Sequence, residues 1–119
     1  MEITTRKLDD VAIVNVKGRL LRENQSDLRK ALEDLVSRPV KGVALDFEAV
    51  DYIDSSGLGC CASIQKLLLE KKAGPLVMFG ASPNIQRMWK LIRLELVIPL
   101  CQNEKDALSR LRASSPRNG

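Results

Sequence analysis

The chain contains no histidine. That absence excludes a Ser-His-Asp triad, the most familiar way for a small domain to make a serine reactive. Aromatic residues are almost as scarce, with one Trp, one Tyr and two Phe, so any core must be aliphatic. No apolar run approaches the roughly 18 to 20 residues that a membrane span requires. The opening MEITTRKLDD lacks the apolar stretch of a signal peptide. A cytoplasmic location without membrane insertion is therefore expected. There are only three cysteines, Cys60, Cys61 and Cys101, an odd number with two of them adjacent. Reduced, buried thiols fit that pattern better than a disulfide framework. Blocks of like charge are missing too: the net charge of +4 comes from 19 basic residues scattered among 15 acidic ones. Direct nucleic-acid binding is not expected from such scatter, and the stripe Arg87, Lys90 and Arg93 reads as the solvated face of a helix.

What is present describes one α/β domain. A chain of 119 residues is long enough for a single core, and a domain of this size buries roughly two-thirds of its unfolded surface. Residues 2–7 and 11–17 are rich in β-branched types and flank LDD, which predicts an opening hairpin. Leu28, Ala31, Leu32, Leu35 and Val36 then recur at helical spacing, with Asn24 or Ser26 as cap and Pro39 as stop. GVALDF at 42–47 predicts a strand buried on both sides, followed by Val50, Tyr52 and Ile53.

A second helix is expected over 56–72, with Leu58, Cys61, Ala62, Gln65, Leu68 and Leu69 on one face. LVMFG at 76–80 reads as an inner strand. A third helix follows, with Ser82 as cap, Pro83 at its first position and Ile85, Met88, Trp89 and Ile92 as its buried stripe. Residues 96–100 can form only a short strand or extended segment, because Pro99 removes a ladder donor. Asn103 is expected to cap a last helix burying Ala107, Leu108 and Leu111, ahead of a disordered tail at 113–119. Strands alternating with helices imply a mostly parallel sheet of four to five strands, with an N-terminal antiparallel hairpin and about four helices.

One stretch stands apart: DYIDSSGLGCC, residues 51–61, places two hydroxyls and two glycines between a strand and a helix. A hydrolase elbow needs Gly-x-Ser-x-Gly, but the residue two before Ser55 is Ile53 and two before Ser56 is Asp54. A dinucleotide fingerprint fails as well, because Ala62 stands where its third glycine belongs. Two neighbouring thiols do not chelate one zinc readily, and no metal or other cofactor is expected. Neither is enzyme activity. What remains is a helix N-terminus, whose free N–H groups and positive dipole end favour an anion. Asp54 can cap that helix while the Ser55 hydroxyl stays in solvent, so a phosphate there would add about 1.5 to 2 negative charges without a new fold. Gly57 and Gly59 would let a partner's backbone approach. On its own, Asp-Ser-Ser-Gly is also ordinary helix-cap composition.

VALDFEAVDYIDSSGLGCCASI closely resembles the signature of the STAS domain family, specifically of its anti-sigma factor antagonists, and the likeness extends in outline over residues 2–112. The resemblance implies a single STAS domain over residues 1–112. It further implies a protein that binds an anti-sigma factor with serine-kinase activity, releases sigma factor, and is switched off by phosphorylation of Ser55, with Ser56 as second choice. A serine phosphatase would restore it. By the same resemblance, Asp54, Ser55, Ser56, Gly57, Leu58 and Gly59 form the docking surface, with Arg19, Leu21 and Arg22 of the loop after Gly18 beside it. Leu21 stands where antagonists usually carry an acidic residue, so the sequence departs from the family there. The alternative is a STAS docking subunit of a lipid-transport ABC complex, in which the turn is never phosphorylated.

Overall fold

Two apolar faces on the same central strands set the architecture. The computed structural model describes residues 1–114, with side chains through residue 113. In chain order it has β1 (Glu2–Leu8), β2 (Val11–Leu20), α1 (Gln25–Leu35), β3 (Val43–Ile53), α2 (Ser55–Glu70), β4 (Leu76–Phe79) and α3 (Pro83–Leu91). A 3₁₀ turn (Leu94–Leu96), β5 (Leu100–Cys101) and α4 (Glu104–Ser114) complete it. The strands form one sheet in the order β1-β2-β3-β4-β5. β1 is antiparallel to β2, and every other pairing is parallel. The expected α/β architecture is the one observed. The disordered tail expected at 113–119 falls largely outside the described residues, and α4 continues to Ser114.

Successive residues of a strand point to opposite faces, and here both faces are covered. Val14, Val16, Leu45, Phe47 and Met78 pack with Leu28 and Leu32 of α1, Ile64 and Leu68 of α2, and Trp89 of α3. Ile13, Ala44, Val77 and Phe79 turn the other way, against Ala107 and Leu111 of α4. No polar or charged residue is buried among those described. Phe47 and Trp89 meet edge to face at 6.3 Å, and the Trp89 Nε1–H donates to the Ile98 carbonyl at 2.9 Å. Ser82 and Asn103 cap α3 and α4 as expected, accepting from the backbone N–H of Ile85 and Asp106.

Several expectations fail for local reasons. β3 is one continuous strand through Ile53, because shifts of register opposite Asn15–Lys17 and Gly18–Arg19 let β2 follow it to the end. α2 starts one residue earlier than expected, at Ser55, and stops at Glu70. Its buried face takes in Cys60, Ile64 and Leu67, and leaves Ala62 and Leu69 exposed. The cause is α1, which lies alongside. Arg29 Nη1 donates to Ser63 Oγ at 2.7 Å and the Cys60 thiol to the Gln25 carbonyl at 3.5 Å, so the buried sector of α2 faces α1 as well as the sheet.

In α1, Ala31 and Val36 are half-buried, at the margin of the helix's buried face, as Met88 is in α3 and Leu108 in α4. Ile92 is 53% exposed, because the helix ends at Leu91 and Arg93 takes a left-handed backbone (φ 61°). Leu96 and Val97 are exposed too; the turn at Leu94–Leu96 replaces the expected strand, which shrinks to Leu100–Cys101 beyond Pro99. All three cysteines are free. Cys60 and Cys61 are buried, but Cys101, on the outermost strand, is only half-buried.

Candidate functional site

β2 and β3 run parallel and end together, with Arg19 opposite Tyr52 and Leu20 opposite Ile53. The loop into α1 and the turn into α2 therefore leave the sheet side by side. Gly18, at φ 106°, takes the backbone that lets β2 bend into this exit.

Asp54 ties the two exits together. Its N–H donates to the Leu20 carbonyl at 3.2 Å, and its carbonyl accepts the N–H of Leu58 at 3.0 Å. One carboxylate oxygen, Oδ1, accepts from the Gly57 N–H at 2.8 Å, which is the side-chain cap of α2. The other, Oδ2, accepts from the Arg22 N–H at 3.0 Å, across to the β2–α1 loop. The Gly57 N–H is the main cause holding the Asp54 carboxyl below its ordinary range; partial desolvation opposes it and the Arg22 N–H adds to it. The carboxylate is therefore ionised at neutral pH.

Asn24 braces the same loop from within. Its carboxamide does not cap α1; Oδ1 accepts from the Leu21 N–H and Nδ2 donates to the Arg19 carbonyl, both at 2.8 Å. Leu21 is half-buried, and its carbonyl accepts from the N–H of Gln25 at 2.9 Å. The Arg19 guanidinium lies 5.1 Å from the centre of the Tyr52 ring, a cation–π arrangement. Arg22 is exposed. Sequence reasoning missed both Asn24 and Tyr52 as parts of this end of the molecule. The signal for Tyr52 was available: it is the chain's single tyrosine and lies two residues before Asp54.

Ser55 is the first residue of α2; it is exposed, and its hydroxyl bonds to no other described residue. Ser56 is half-buried. The two glycines differ. Gly57 faces inward, where a Cβ would lie 2.6 Å from Ile53 Cγ1 and 2.8 Å from the Leu20 carbonyl oxygen; Gly59 faces open space. The room expected for a partner's backbone therefore exists at Gly59 and not at Gly57. Leu58 points into the core and is 9% exposed. The structure thus brings together all nine residues singled out by sequence, but Gly57 and Leu58 support the surface from beneath. Among the described residues no group of three His, Cys, Asp or Glu side chains is placed to hold a metal ion, and no helix is long and apolar enough to cross a membrane.

Fold and site together define a small α/β domain that presents a braced helix start, with the exposed Ser55 hydroxyl, to the surroundings. The chain belongs to the STAS domain family, whose model matches residues 2–107. It is 30% identical to the anti-sigma-B factor antagonist of Listeria monocytogenes over 102 residues, covering 84% of this chain and 86% of that protein. It is 26% identical to the anti-sigma F factor antagonist of Paenibacillus polymyxa over 106 residues, covering 88% and 90%. The crystal structure of an anti-sigma factor antagonist from Mycobacterium paratuberculosis superimposes with a TM-score of 0.81 at 24% identity, covering 93% of each chain.

Proposed function

We propose that this protein is an anti-sigma factor antagonist of the cytoplasm. It docks through the Asp54–Gly59 turn and the Arg19–Arg22 loop on an anti-sigma factor that is also a serine kinase, and so releases sigma factor. Phosphate on Ser55 ends the complex, and a serine phosphatase restores it. The protein itself catalyses nothing and requires no cofactor. The observation that carries this reading is the solvent-facing Ser55 hydroxyl at the first position of α2, on a turn that Asp54 holds through both carboxylate oxygens. The names of the two relatives support it. A phosphate at a helix start is favoured by the dipole, so the domain tolerates it. It would also stand next to the ionised Asp54, turning a neutral contact point into a strongly negative one.

The test is the intact mass of the protein isolated from its own cells, followed by sequencing of the tryptic peptide 42–66. A phosphate localised to Ser55 is expected. Ser55→Asp should abolish binding to the co-isolated anti-sigma factor and Ser55→Ala should preserve it. Equal binding by both variants would refute the switch. Absence of phosphate together with co-isolation of a lipid-transport ATPase subunit would support the docking-subunit alternative instead.

A further inference from the structure

At the end of α2 remote from Ser55, the chain turns over a cavity of about 570 Å³, within the size range of small-molecule sites. Its apolar wall is Leu68, Leu69 and Pro75. Leu68 is fully buried, whereas Leu69, the penultimate residue of a helix that buries most of its other apolar residues, is 64% exposed. Lys41 and Lys72 also line the cavity, and neither has an ion-pair partner among the described residues. Both are held by their backbones. The Lys41 N–H donates to the Asp10 carbonyl at 2.7 Å, and the Lys72 N–H donates to the Leu69 carbonyl at 3.2 Å. Gln65 and Gly74 complete the lining.

Two sets of side chains ask for different parts of one ligand. Unpaired ammonium groups favour a carboxylate head. The leucines and the proline favour an aliphatic body, which would cover the exposed Leu69. We propose that this cavity binds a small amphipathic anion, an aliphatic carboxylate. The site is independent of the Ser55 switch, at the other end of the helix.

The probes are decanoate and decanol, each titrated below its aggregation limit into the full-length ¹⁵N-labelled chain. Saturable amide shifts confined to the surroundings of Lys41, Gln65, Lys72 and Gly74 are expected with decanoate. Decanol should bind about tenfold more weakly or worse for want of charge. The double variant Lys41→Gln/Lys72→Gln should lose about tenfold in affinity for decanoate while melting like the parent. Absence of any saturable shift overturns the proposal. So does decanol binding as tightly as decanoate, or unchanged acid affinity in the double lysine variant.

Discussion

Gly57 and Gly59 sit two residues apart on α2 with opposite reasons for lacking a side chain, and substitution separates them. A methyl at Gly57 would press on the Leu20 carbonyl and on Ile53, so Gly57→Ala should cost about 1–3 kcal/mol, the usual range for overpacking. Gly59→Ala meets nothing and gains helix propensity, so it should stabilise by up to about 1 kcal/mol. Urea midpoints of the two variants check both signs. Asp54 yields a pH prediction. Its folded value lies below the ordinary 3.8. Its contribution is therefore complete above the unfolded value and is lost as pH falls through the lower folded one. Asn can still cap, so Asp54→Asn should flatten this part of the pH–stability curve below about pH 4, as followed by urea midpoints from pH 6 to 2. The cap itself was legible from Asp54 standing before small residues. The bond to Arg22 was not, because it joins residues 32 apart in sequence and depends on two strands ending in register.

At the scale of elements, caps and alternation read well from sequence, and helix faces read poorly. Ser82, Pro83 and Asn103 mark their helix starts by local chemistry alone. α2 carries apolar residues on more than one side, so spacing from Leu58 could not tell the sector facing α1 from the one facing solvent. The segment after α3 was hidden for another reason: a left-handed Arg93 has no sequence signature comparable to a glycine, and it is what turns Ile92 outward. Trp89 fastens that segment to α3 through Ile98. Trp89→Phe removes the donor and leaves a buried carbonyl unpaired, at a cost of about 1–3 kcal/mol before any loss of packing. Thermal melting should show the loss. Amide exchange should localise the loosening to residues 94–101 and spare the turn at Ser55.

For the molecule as a whole, the two faces of the sheet are unequally defended. Three helices cover one; α4 alone covers the other, through Ala107 and Leu111. Leu111→Ala should therefore cost about 2–5 kcal/mol, as large-to-small changes in cores do, measurable by chemical denaturation. Partner binding at the far-off Ser55 turn should be unchanged wherever the variant remains folded. The order of the strands has a kinetic meaning as well. Each strand's partners in the sheet are its neighbours in the chain, so every pairing closes only one turn or one helix-length loop, and ordering entropy is met in small steps. A chain emerging from the ribosome can add strands in the sequence in which they are made. The helix that shields Ile13, Ala44, Val77 and Phe79 follows all of them. During synthesis, that side of a nearly complete sheet remains a sticky apolar surface until the final helix docks, and it is there that chaperones and self-association compete for the nascent protein.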